Sequence, residues 1–145
     1  MKPYQELKFP ATRIATLDVG RVSKSRHHVA ALLELDVTAG RRKIKELRRQ
    51  TGDYVSFSGW LASVFAAALQ EFPAAHAFIK TKRRALAFDD VDISMTVERR
   101  VDGELVPLPM VLRAANRKSV ADISREIRTA KNQAMDDKDV MVGQQ

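Results

Sequence analysis

Three histidines, His27, His28 and His76, are the side chains best suited to moving a proton near neutral pH. Their spacing limits what they can do. Adjacent residues on an extended chain point to opposite faces, so His27 and His28 cannot share a metal ion without a local bend. His76 stands alone in the loop-like stretch PAAHAF. No HExxH or CxxC is present, and the chain has no cysteine. That composition excludes thiolate nucleophiles, disulfides and thiolate-bound metals, and it fits a reducing compartment. No metal site is expected. Ser58-Gly59-Trp60 is not a GxSxG elbow, and its serine is better placed as a helix cap. GxGxxG and GxxxxGK[ST] are both absent, so nothing cradles a nucleotide. Asp89, Asp90 and Asp92 lack the glycine and glutamate spacing of a calcium loop and read as the end of a turn.

The remaining chemistry is charge. The chain carries a net +7, and Arg41, Arg42, Lys43, Lys45, Arg48 and Arg49 fall within nine residues. Such a run is ordinarily a solvated helix face. It could bind phosphates, but it lacks interleaved aromatics and a second helix at turn spacing. Nucleic acid is therefore not an expected partner, and non-specific binding through residues 41–49 stands as an alternative.

These residues must be positioned by a single core, because 145 residues is an ordinary domain size and 45% of them are apolar. No linker or repeat divides the chain. No apolar run approaches the roughly 18 residues of a membrane span, and the first residues lack a signal-peptide core. The expectation is a cytoplasmic protein with an N-terminal arm over 1–12, a domain over 13–135 and a loose tail over 136–145. Pro3 and Pro10 disfavour regular structure in the arm. Residues 14–22 fit neither a helical nor an alternating period, and Gly20 would interrupt either. The aliphatic run 29–37 predicts a strand. Thr38 is placed to cap a basic surface helix that Gly52 ends. Ser56 or Ser58 caps a core helix in which Trp60, Leu61, Val64, Phe65, Ala68, Leu69 and Phe72 recur at helical spacing before Pro73, while Ala62, Ala66 and Ala67 allow close approach of another layer. A hairpin turns at residues 81–84, and residues 91–97 alternate as a half-buried strand. Asp102-Gly103 turns the chain into residues 105–112, where Pro107 and Pro109 argue against an unbroken central ladder. Ser119 with Asp122 has the spacing of a capping box, and Val120, Ile123, Ile127, Ala130 and Ala134 mark the buried face of a last helix. The class is α/β, with a mixed sheet packed by helices.

In this order, LELDVT (33–38), FSGWLASVFAAALQEFPAAHAF, DDVDISMTVERR and LVPLPMVLRAANRKSVADISREI resemble the N-terminal half of the acyltransferase domain of 2-oxoacid dehydrogenase dihydrolipoyl acyltransferases. The resemblance runs from about residue 10 to 134, and is greatest to stand-alone members without lipoyl or subunit-binding modules. It implies a chloramphenicol acetyltransferase-like fold, here incomplete, and acyl transfer between coenzyme A and a carrier thiol such as dihydrolipoamide. In that family the histidine of an HxxxDG motif is general base to the thiol, and a serine or threonine donates to the oxyanion. Both belong to the C-terminal half. HxxxDG occurs nowhere in this chain, so none of its histidines inherits the catalytic role, and the chain alone is expected to be inactive. Two positions carry over as possible substrate-channel residues. Arg13 lies near the family's early arginine, and His28 matches a histidine that follows a proline in the carrier enzymes, replaced here by His27. No covalent cofactor is implied. Coenzyme A or acyl-coenzyme A is the implied substrate, and the implied partners are a homotrimer or a chain supplying the C-terminal half. A non-catalytic assembly protein on the same fold is the other alternative.

Overall fold

A computed structural model describes residues 11–25, 30, 32–101 and 103–133. Helix α1 spans Ala11–Lys24, α2 Thr38–Thr51 and α3 Phe57–Glu71. A 3-10 turn, Pro73–His76, leads to strands β1 (Phe78–Thr81), β2 (Arg84–Leu86), β3 (Ile93–Val101) and β4 (Glu104–Leu112). A second 3-10 turn, Ala115–Arg117, precedes α4, Val120–Asn132. The expected combination of helices and sheet forms. Its strands, among the described residues, are two antiparallel hairpins, β1–β2 and β3–β4. The arm and the tail lie outside the described residues, except that Ala11 and Thr12 already belong to α1.

One open reading is resolved and one expectation is corrected. Residues 14–22 are helical despite Gly20. One glycine costs about 1 kcal/mol of helix propensity, too little to break a fourteen-residue helix whose last turn carries Arg21 and Lys24 at the favourable end of its dipole. Residues 32–37 form no strand, because no neighbouring strand among the described residues offers them a ladder. The cap of α2 also differs from expectation: Thr38 is its first helical residue, and its backbone N–H donates to Asp36 Oδ1 at 2.9 Å. Gly52 does end α2, in the left-handed conformation at φ 72°.

Helix α3 begins as the sequence requires, with Ser56 Oγ accepting from Gly59 N at 2.9 Å. Its buried line is not the aromatic one. Gly59, Ala62 and Ala66 are buried, whereas Val64, Phe65 and Ala67 face solvent and Phe72, just past its end, is 62% exposed. Small residues are needed on the inner side because α4 crosses there at short range. A Cβ added to Gly59 would lie 2.2 Å from Ser124 Oγ and 3.0 Å from Ser124 Cα. Ser124, fully buried, accepts from Ser56 N at 2.9 Å and donates to Val120 O at 2.7 Å. One hydroxyl thus ties the start of α3 to the first turns of α4. Ser119 caps α4, accepting from Asp122 N at 3.1 Å and donating to its carboxylate at 2.6 Å.

The core lies between these helices and the longer hairpin, with Ala62, Ala66, Val91, Val97, Leu112, Ala115, Ile123 and Ile127 in one cluster. β3 alternates in burial, placing Ile93, Met95, Val97 and Val101 inward. Its pairing with β4 is unbroken from Ile93–Leu112 to Val101–Glu104, straight through both prolines. Pro107 and Pro109 are two apart, so their missing donors fall on one edge of a strand that has, among the described residues, one partner, and the ladder survives.

Candidate functional site

The densest polar arrangement is the corner where the base of the β3–β4 hairpin meets the end of α3. Continuing the register one step past Ile93–Leu112 sets Asp92 opposite Arg113. Arg113 Nη1 donates to Asp92 Oδ2 at 2.6 Å, and Ala114 N donates to Oδ1 at 2.8 Å. The second contact requires Ala114 to adopt φ 47°, a left-handed conformation that an L-residue pays to enter. The Ala114 N–H first, and Arg113 second, hold the Asp92 carboxyl below the usual carboxylate range. Asn116 closes the corner with both ends of its amide, Oδ1 accepting from Val91 N at 2.9 Å and Nδ2 donating to Asp89 O at 3.0 Å. Arg117 pairs with Asp90. The acidic run therefore ends a turn, as expected, and is bound to a basic run twenty residues on.

Beside this corner, Gln70, Pro73, His76, Phe88, Asp89, Asn116 and Arg117 surround a cleft of about 450 Å³. His76 Nε2 lies 3.1 Å from Phe88 O. A carbonyl can only accept, so Nε2 is the donor in this contact. Nδ1 is buried without a partner and shut off from solvent. The imidazole can orient the Phe88 backbone, and its Nδ1 does not face the open cleft. A second depression, about 330 Å³, lies between α2, α3 and the start of α4, lined by Lys43, Ile44, Glu46, Leu47, Gln50, Val55, Trp60 and Val120. It contains Glu46 and Lys43 but no hydroxyl or imidazole side chain. Among the described residues, no group of three or more His, Asp or Glu side chains could hold a metal ion. No helix among them is long and apolar enough to cross a membrane.

Of the two residues singled out from the sequence, Arg13 falls in the first turn of α1 and His28 lies outside the described residues. Sequence reasoning missed three features. Ser124 is one: a serine one residue after a core isoleucine signals little by itself. Tyr54 is another, its ring flanked by Arg48 of α2 at 5.6 Å and Arg128 of α4 at 4.4 Å, partners separated by eighty residues. The pairing of Asp90 and Asp92 with Arg117 and Arg113 is the third, and the hairpin register would have revealed it.

The fold is shared with known acyltransferase cores. A truncated catalytic core of the 2-oxoacid dehydrogenase multienzyme complex from Thermoplasma acidophilum superposes with a TM-score of 0.63 at 22% identity, over 87% of this chain and 57% of that one. A probable dihydrolipoamide acetyltransferase from Listeria monocytogenes 4b F2365 gives 0.63 at 21% identity, over 89% and 55%. The cubic core of a pyruvate dehydrogenase multienzyme complex gives 0.61 at 17%, over 87% and 52%. The chain thus spans little more than half the length of each of these structures. No curated protein matches it. The sequence profile of the 2-oxoacid dehydrogenases acyltransferase catalytic domain matches residues 5–140, nearly the whole chain, and the chain belongs to that family.

Proposed function

We propose that these residues form the N-terminal layer of an acyl-transfer domain, one wall of the channel in which an acyl group passes between coenzyme A and a carrier thiol such as dihydrolipoamide. The observation that carries the reading is the family match over residues 5–140, together with coverage of little more than half of the related structures. The catalytic imidazole and the oxyanion donor come, on this reading, from polypeptide beyond these 145 residues, in the same protein or in a partner. Arg13 and His28 are the positions proposed to face the channel. Two surfaces support the need for a completing layer. Val64, Phe65 and Phe72 line the outer side and end of α3, and Phe78, Ile79 and Phe88 lie exposed on and beside the β1–β2 hairpin. Apolar groups gathered in this way mark a face meant to be covered. Residues 32–37, rich in leucine and without a ladder among the described residues, would gain a partner strand from the same source.

The test is complementation. The chain is co-expressed with a polypeptide carrying the family's C-terminal half, and the purified complex is assayed for acetyl transfer from acetyl-coenzyme A to dihydrolipoamide. Activity that appears in the complex, and is lost when the HxxxDG histidine of the added half is replaced by alanine, supports the proposal. A folded, stable complex that transfers nothing overturns it.

A further inference from the structure

The basic run of α2 is sorted by the fold into two flanks. Lys43, Glu46, Leu47 and Gln50 line the depression against Trp60, and Ile44 is buried. At 3.6 residues per turn, Arg41, Arg42, Lys45, Arg48 and Arg49 then fall within about one third of the helix circumference, on the opposite flank. Arg41, Lys45 and Arg48 follow one another at about one helical turn each, roughly 4.5–6 Å apart along the axis.

Two of these guanidinium groups are held in place. Arg41 lies over the Phe57 ring at 4.6 Å, and Arg48 lies against Tyr54 while its Nε donates to Val55 O at 2.6 Å. Arg128 of α4 reaches the same Tyr54 ring, so the positive surface continues from α2 across the 52–56 loop to α4. The aromatic residues that the helix itself lacks are supplied by Tyr54 of this loop and by Phe57 at the start of α3. A guanidinium stacked on a ring keeps its remaining N–H donors at the rim, already oriented toward an incoming oxyanion. The nearby acids do not neutralise the flank. Among the described residues, none of Asp36, Glu46 and Asp53 is ion-paired with it.

From this arrangement we infer that the α2 flank, extended by Arg128, binds the phosphate backbone of nucleic acid without reading its sequence. A row of cations on one helix flank, with Arg41, Arg48 and the adjoining Arg128 stacked on aromatic rings, suits a row of phosphates. A membrane surface is a poorer occupant, because a helix that lies in a bilayer interface needs a free apolar face, and that of α2 is turned into the protein at Ile44.

The experiment is fluorescence anisotropy of the full chain with a labelled duplex of about 20 base pairs, between about 50 and 200 mM salt. Six cations in contact give a log–log salt slope of about −5. Arg42→Gln and Arg49→Gln, at exposed positions with no contact recorded among the described residues, should each make the slope shallower by about 1. Arg48→Lys with Arg128→Lys should keep the slope and weaken binding several-fold, since charge is retained and the stacked fork is lost. Arg83→Gln with Arg84→Gln, at the exposed β1–β2 turn, should leave the slope unchanged. Equal loss of slope in this last variant would assign binding to net charge and overturn the proposal. So would a slope unmoved by Arg42→Gln and Arg49→Gln, or displacement of the duplex by poly-glutamate as readily as by unlabelled duplex.

Discussion

Replacing Gly59 by alanine should destabilise the protein, although helix propensity alone says the reverse. Gly59 is the third residue of α3, and alanine in a helix interior is favoured over glycine by about 1 kcal/mol. Here the new methyl would lie 2.2 Å from Ser124 Oγ, and 3.0 Å from both Ser124 Cα and Ser56 Oγ. The hydroxyl must swing away, which breaks its bonds to Ser56 N and Val120 O. Leaving a part-buried N–H unpaired costs about 1–3 kcal/mol. Forcing the two helices apart adds about 1–3 kcal/mol of overpacking. Set against the propensity gain, the net loss is roughly 1–5 kcal/mol. Urea unfolding followed by the fluorescence of the neighbouring Trp60, with circular dichroism as a second probe, measures it. Ser124→Ala removes the hydroxyl, so in that background Gly59→Ala should cost less, with a coupling of about 1 kcal/mol or more. If Gly59→Ala raises stability, or if the two substitutions are additive, the close α3–α4 crossing does not govern this region.

Three further outcomes follow from the same geometry. Asp92 has its folded pKa lowered from 3.8, so it binds fewer protons folded than unfolded; its contribution is present above about pH 4 and lost as pH falls through the folded value. Asp92→Asn, which can still accept from Ala114 N, should therefore make stability fall less steeply below about pH 4 in acid titrations, a small effect because both Asp92 and Arg113 are open to water. Ala114→Gly should stabilise by about 0.5–1 kcal/mol by relieving the left-handed strain, read as a higher melting temperature. Ser119→Ala removes the acceptor for Asp122 N and should cost about 1 kcal/mol in the same melt.

Local rules were legible wherever one residue and its near neighbours decide the outcome. Ser56, Gly52 and Ser119 punctuate the helices as their types require, and the alternation of residues 91–97 gives β3 its inward face. What failed depended on distant partners. Residues 32–37 have the composition of a strand, but strand formation needs a ladder that composition cannot supply. The large side chains of α3 fit a core period, yet the inner side of the helix is chosen by how closely α4 approaches, which only Gly59 and Ser124 together reveal. Tyr54 was invisible for the same reason, since its two guanidinium neighbours belong to different helices. The acid–base corner was an intermediate case: it is encoded in the β3–β4 register, so carrying the pairing one residue beyond each strand would have exposed it.

The division of α3 into a small-residue face and a large-residue face also settles where the cohesive energy of this region resides. Of the eight buried residues in its main cluster, three are alanines, each bringing only one methyl group of side-chain burial. A buried phenylalanine is worth about 1.5–3 kcal/mol relative to an exposed one. Phe65, Phe72, Phe78 and Phe88 each remain about half exposed, so each forgoes on the order of 1 kcal/mol that an overlying layer could recover. Four such groups amount to a sizeable fraction of the roughly 5–15 kcal/mol by which a domain is typically stable. The inner face therefore sets geometry, holding α4 and the hairpin at a fixed short distance, while the outer face holds stabilisation in reserve. A layer built this way gains rigidity when it is covered.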